Sequence, residues 1–175
     1  GSTCGVQNPC GASRVTSRIV VALRVKASAE QAFDVFTREI DSWWRPNATF
    51  QFTPRSPGVL AFEAPSADGQ GGRFTETLKN GKVFEIGKVT VWERGVRLVF
   101  GWRQATFAPG QETEVEVRFE SVGDETRVTV EHRGWDSVPA AHVAKHSFPE
   151  ALFLRRHGEW WQELLEALRA SVQAA

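Results

Sequence analysis

The carboxyl-terminal stretch constrains the fold most. Leu152, Phe153, His157, Trp160, Trp161, Leu164, Leu165, Leu168 and Val172 recur at helical spacing, with Glu159, Glu163, Glu166 and Arg169 opposite. That apolar face is too broad for a helix resting on a surface, so it needs cover on several sides. The preceding sequence supplies the cover. Residues 58–63, 72–78, 83–93, 97–103, 112–122 and 126–133 are rich in Val, Phe, Thr and Trp at period two. They are separated by Asn80-Gly81, Arg94-Gly95, Pro109-Gly110 and Gly123-Asp124. This is the pattern of an antiparallel meander. Ahead of it, Arg18 to Lys26 reads as a strand, and Ser28 with Gln31 forms a capping box that opens a helical segment ending at Trp43-Trp44, before Arg45-Pro46. Ser147 and Glu150 repeat the capping pattern before the last helix. The expected fold is α+β: two short helices after the first strand, then a curved antiparallel sheet of about six to seven strands gripping the terminal helix and leaving a cavity.

Composition narrows the partners. The 21 basic residues cancel the 21 acidic ones, so no excess field draws in nucleic acid or an anionic membrane. No apolar run approaches the roughly 18 residues of a membrane span. Hydrophobic residues make up 41% of the chain, which excludes a disordered protein. Cys4 and Cys10 are the only cysteines, too few for a disulfide scaffold. They lie in a Gly/Ser/Asn/Pro-rich start without apolar period. Residues 1–14 are therefore read as an expression scar and unstructured start, residues 15–175 as one domain, and the cytoplasm as the default location.

A family resemblance rests on several pieces in order: DSWW at residues 41–44, GGRF followed by Thr75-Glu76 and Asn80-Gly81, IGKVTVWE, RLVFGW, ETEVEVRF, TRVTVEHRGW and a terminal EWWQELL. The chain resembles the START-like, polyketide-cyclase-like superfamily. Within it, the chain is similar to the group related to the carboxyl-terminal domain of activators of the ninety-kilodalton heat-shock protein ATPase. The resemblance spans about residues 18–172 and implies a helix-grip fold with a hydrophobic cavity. It does not select among the lipid binders, cyclases, hydrolase-like enzymes and co-chaperones built on that scaffold.

Alternation places Leu98, Phe100 and Trp102 on one inward face, Val115, Val117 and Phe119 on the next, and Val128, Val130 and His132 on a third. His132 stands near its strand's end, where a cavity mouth is expected, either as a packed imidazole or as a donor or general acid/base toward a ligand. Asn80-Gly81 signals a two-residue type I′ hairpin that opposes Phe74 to Gly87 and Glu76 to Glu85. Two facing carboxylates require solvation, a cation such as Arg73 or Arg103, or partial protonation in an apolar pocket. Trp43 and Trp44, about 100° apart on a helix, can hardly face the same core, so one is expected to rim the cavity or a partner surface. A two-residue Asp124-Glu125 turn is expected, opposing Arg118 to Glu131 and Glu116 to Arg133; a four-residue loop would instead oppose Glu116 to Glu131. His142 and His146 have possible metal spacing but no evident third ligand, and no metal or cofactor is implied. Phosphate-loop and nucleophile-elbow arrangements are missing from the sequence.

The favoured reading is a binder of a small hydrophobic or aromatic molecule between sheet and terminal helix. Its candidate ligand-binding residues are Trp43, Trp44, Phe74, Glu76, Glu85, Trp102, His132 and Trp160. Two alternatives remain: a co-chaperone-like regulator that binds a chaperone or other protein through its outer surface, and a cyclase- or hydrolase-like enzyme using Glu76 and His132 for acid/base chemistry. An open interior favours ligand or substrate; a closed one favours a protein partner.

Overall fold

The computed structural model describes residues 18–139 and 141–174; Cys4, Cys10 and the expected boundary near residue 14 lie outside them. Strand β1 (Ile19–Val25) leads into α1 (Ala29–Arg38) and α2 (Ile40–Trp43). Ser28 caps α1 by accepting the Gln31 N–H at 3.1 Å, satisfying one of the free donors of the first turn. Six strands follow: β2 (Val59–Glu63), β3 (Arg73–Thr77), β4 (Val83–Glu93), β5 (Arg97–Trp102), β6 (Thr113–Val122) and β7 (Glu125–Arg133). They pair antiparallel in the order β1-β7-β6-β5-β4-β3-β2, a curved seven-stranded sheet against which helix α3 (Glu150–Ala174) packs. The inward residues expected from alternation are buried, and so are Trp160, Leu164 and Leu168 of α3. No helix among the described residues is long and apolar enough to cross a membrane.

Both hairpin registers differ from the sequence expectation, and in each a single glycine explains the difference. At Asn80-Gly81 the Gly81 N–H donates to Leu78 O and the Leu78 N–H to Lys82 O, with Gly81 at φ +83°. This is a three-residue loop with Gly in the left-handed position, which shifts pairing by one residue. Glu76 therefore faces Phe84 and Glu85 faces Thr75; a bulge then restores the expected Phe74–Gly87 pair. Between β6 and β7 the two-residue turn is Gly123-Asp124, with Gly123 at φ +64° and Val122 opposite Glu125. Glycine supplies the positive φ that the first central position of a type II′ turn demands. Glu116 consequently opposes Glu131, not Arg133. Arg133 and Arg97 reach Glu116 at 3.0 Å each, and Arg18 reaches Glu131 at 3.4 Å, so cations on neighbouring rungs neutralise the like-charged pair.

The second capping box is also replaced. Ser147 stands at φ +60°, and α3 begins only after Pro149, whose carbonyl accepts from the Phe153 N–H. Glu150 is taken up by the buried Lys145 ammonium at 2.8 Å, which also donates to Trp135 O and Val138 O.

Candidate functional site

The open end of the molecule is built by β2, β3 and the segment 45–58 that joins α2 to β2. Helix α3 closes one side with Trp160. A cavity of about 680 Å³ lies between them, walled by Trp44, Phe50, Phe52, Leu60, Leu78 and Trp160, with Asp41, Glu76 and Lys79 as its charged groups. Phe50 and Phe52 alternate along the connecting segment and dive inward. Phe50 stacks on Trp160 at 5.5 Å, and Phe52 packs on Trp102 at 4.6 Å.

Glu76 is the buried polar group of this wall, 2% exposed. Alternation on β3 carries it inward beside Phe74, and the connecting segment brings donors to it. Thr53 Oγ1 donates to Oε1 at 2.8 Å, Ser56 Oγ to Oε2 at 2.8 Å, and the Gly58 N–H to Oε2 at 3.1 Å. A carboxylate has about four acceptor sites, so three donors leave one free. All three protein donors are neutral, which leaves a ligand donor as a natural fourth partner. Asp41 Oδ1 accepts from the Leu60 N–H at 2.9 Å and ties α2 to the start of β2.

Of the residues expected at the site, the structure brings Trp44, Glu76 and Trp160 to the cavity. The other five stand apart from its wall. Phe74 is stacked on Phe62 in the core at 4.4 Å. Glu85 points elsewhere because of the shifted register, and Arg73 is paired with Glu63 at the surface at 2.7 Å. Arg103 donates to the Glu85 carbonyl. Trp102 lies behind Phe52, and Trp43 is buried with its indole N–H on Val35 O at 3.1 Å. Trp43 and Trp44 do share one core, with centroids 5.6 Å apart. The helical 100° offset does not hold, because Trp44 has left the helix at φ −59°, ψ 137°.

His132 is a packed imidazole. Its Nδ1 accepts from Trp161 Nε1–H at 3.1 Å, so the proton sits on Nε2 and is donated to Thr113 Oγ1 at 2.8 Å; Thr113 in turn donates to Trp102 O. Burial pushes its pKa well below the ordinary value, with repulsion from His157 adding to it. Glu76 and His132 are thus not joined in one cavity. His142 caps a short 3₁₀ turn at Val143–Lys145 through the Ala144 N–H, and its other nitrogen donates to Thr106 O; His146 bonds Thr49 O. Among the described residues no three potential metal ligands gather.

The sequence reading missed segment 45–58, which supplies Phe50, Phe52 and every donor to Glu76. Its one legible signal is the Phe50-Gln51-Phe52 alternation between two prolines, Pro46 and Pro54.

The family model described as Activator of Hsp90 ATPase homolog 1-like protein matches residues 26–173. The chain belongs to that family. No curated protein sequence matches the chain. Among solved structures, the family member shares its fold with a protein from Arthrobacter aurescens at TM-score 0.56 and 17% identity, covering 91% of this chain and 88% of that one. It is also similar to the Aha1 dimer from Colwellia psychrerythraea at TM-score 0.57 and 18% identity, covering 89% and 95% respectively. An HSP90 activator from Plasmodium falciparum gives TM-score 0.55 and 18% identity over 89% of this chain and 96% of that one.

Proposed function

We propose that this protein binds a small hydrophobic or aromatic molecule in the cavity between β2, β3, the 45–58 segment and α3. The observation that carries the reading is the juxtaposition, in one cavity of about 680 Å³, of an aromatic wall and a single deeply buried carboxylate. Ligand pockets of roughly 300–1,000 Å³ combine apolar walls with a few orienting polar groups, and this one has that composition. Burying roughly 300 Å² of apolar ligand surface contributes about 7 kcal/mol against an association cost of at least about 4 kcal/mol, so the polar contact at Glu76 has to add to the affinity. Glu76 would orient the ligand by accepting an N–H or O–H at its free acceptor site.

The test uses N-phenyl-1-naphthylamine, a neutral apolar fluorophore with one N–H. Saturable one-to-one binding is expected, and Leu78→Trp, which fills the cavity from its wall, should weaken it at least tenfold. Unsaturable binding, or equal affinity in the variant, overturns the reading.

A second reading is favoured by the family description and by the likeness to an HSP90 activator: regulation of a chaperone ATPase through the outer face of the sheet. The Arg97, Arg133, Glu116 and Glu131 lattice occupies that face. Stimulation of such an ATPase that survives Leu78→Trp but fails after charge reversal at Arg97 and Arg133 would support this reading over the first.

A further inference from the structure

Beneath the cavity lies a cluster of polar atoms that the proposed site does not use. His157 on α3 is completely buried, and neither of its ring nitrogens has a hydrogen-bond partner among the described residues. The same holds for Trp102 Nε1 and Trp135 Nε1, whose rings lie 5.8 and 5.1 Å from the His157 ring. Buried polar atoms in native proteins are paired in the large majority of cases, so a concentration of four such atoms is informative. His132, 5.1 Å away, has both nitrogens satisfied by the protein, which shows that this core can pair an imidazole when the partner is built in.

Phe50, together with Trp160, links this cluster to the cavity, each ring packing on His157 and lining the wall. Phe50 is the ring nearest to His157, at 4.7 Å. The other rings packed on His157 come from β5, β7, α3 or the 3₁₀ turn at Trp135–Ser137; Phe50 alone comes from a segment with no helix or strand. Smaller cavities of about 370 and 140 Å³ border the same segment at Thr49.

We infer that Phe50 gates an inner polar subsite on His157, which takes the hydroxyl of a flat aromatic ligand seated in the main cavity. The inference rests on the cavity-binding reading and adds the ligand's chemistry. A hydroxyl fits the inventory better than a carbonyl. It accepts from an indole N–H of Trp102 or Trp135 and donates to the unprotonated nitrogen of His157, which a carbonyl cannot do. Burial holds the His157 pKa down to about 3, so the ring is neutral at physiological pH and retains that acceptor.

Calorimetric titration with 2-naphthol and naphthalene, which differ by the hydroxyl alone, tests the subsite in the wild type, Phe50→Ala and His157→Phe. Wild type should prefer 2-naphthol. Phe50→Ala should raise that preference at least tenfold, and His157→Phe should abolish it while leaving naphthalene affinity within about twofold. The ¹⁵N resonances of the His157 ring should shift with 2-naphthol and stay in place with naphthalene. Equal gains for both compounds in Phe50→Ala, or unchanged ring resonances on naphthol binding, overturn the gate and its subsite. So does a crystal structure of the naphthol complex in which an ordered water, and not the hydroxyl, pairs with His157. The ring resonances in wild type decide the matter even where Phe50→Ala fails to fold. Saturable N-phenyl-1-naphthylamine binding with no hydroxyl preference rejects the subsite and leaves the cavity reading intact; absence of all binding rejects both.

Discussion

Glu76 and His132 reach the interior by the same route. Each stands on the inward face of an antiparallel strand, with an apolar residue two positions before it: Phe74 for Glu76, Val130 for His132. Their surroundings diverge. At the closed end of the sheet, His132 takes its partners from β6 and α3, both regular elements that cannot withdraw without unfolding. At the open end, Glu76 takes all three donors from residues 53–58, a connecting segment, and borders a cavity. A polar group among apolar neighbours is therefore no sufficient mark of a site. What separates the two groups is whether their partners come from the scaffold or from a connecting segment.

Acid should act first on the two buried histidines. Burial lowers the pKa of both His132 and His157, so the folded state keeps them neutral while the unfolded chain takes up protons. Their contribution is complete above about pH 6.5 and is lost as the pH falls, for His157 down to about 3. His157 then costs about 1.4 kcal/mol per pH unit below 6.5, roughly 2 kcal/mol between pH 7 and 5, and His132 adds a loss in the same direction. Asp34, Glu63 and Glu116, whose pKa values are lowered by arginine partners, add their losses only at more acidic pH. Urea unfolding at pH 7 and 5 should show a fall in stability about 2 kcal/mol larger in the wild type than in His157→Phe. An equal fall in both proteins would mean that His157 does not titrate as its burial requires.

The next contrast removes one group from each end. His132→Ala leaves a cavity and strands the Trp161 N–H and the Thr113 hydroxyl, so stability should drop by about 3 kcal/mol. Affinity for N-phenyl-1-naphthylamine should stay within about twofold of wild type. Glu76→Gln keeps the shape but turns an acceptor into a donor facing Thr53, Ser56 and Gly58. Stability should fall by about 1–2 kcal/mol and probe affinity by about tenfold. A His132→Ala protein that folds stably yet loses the probe would erase the distinction between the two ends.

The legibility of the molecule follows the same division. Strand positions, the Ser28 cap and the buried faces of β5, β6, β7 and α3 could be read from the chain because periodicity reports which face a regular element buries. Glu76 was legible for that reason. Its donors were not, because Thr53, Ser56 and Gly58 sit in a stretch without period and meet Glu76 across 23, 20 and 18 positions. Register escaped for a different reason. It depends on which residue of a turn takes the positive φ, and Gly81 and Gly123 each took a place other than the expected one.

The smallest expected effect sharpens the comparison on the open side, at Glu85. A two-residue turn at Asn80-Gly81 would set this carboxylate opposite Glu76, and neutralising it would then relieve repulsion in the cavity wall and alter both stability and binding. The observed three-residue loop sets Glu85 opposite Thr75, half-buried and away from the cavity, while the bulge after it returns β4 to the pairing of Phe74 with Gly87. Glu85→Gln should therefore change unfolding free energy by less than about 0.5 kcal/mol, the range of surface substitutions away from special features. Probe affinity should be unchanged. The paired measurement with Glu76→Gln gives the result its force, because the two residues are chemically alike and belong to one hairpin. A double-mutant cycle should show additivity within about 0.3–0.5 kcal/mol, the behaviour of independent sites. A coupling above 1 kcal/mol would place the two carboxylates against each other after all, in the register that the three-residue loop at Gly81 prevents.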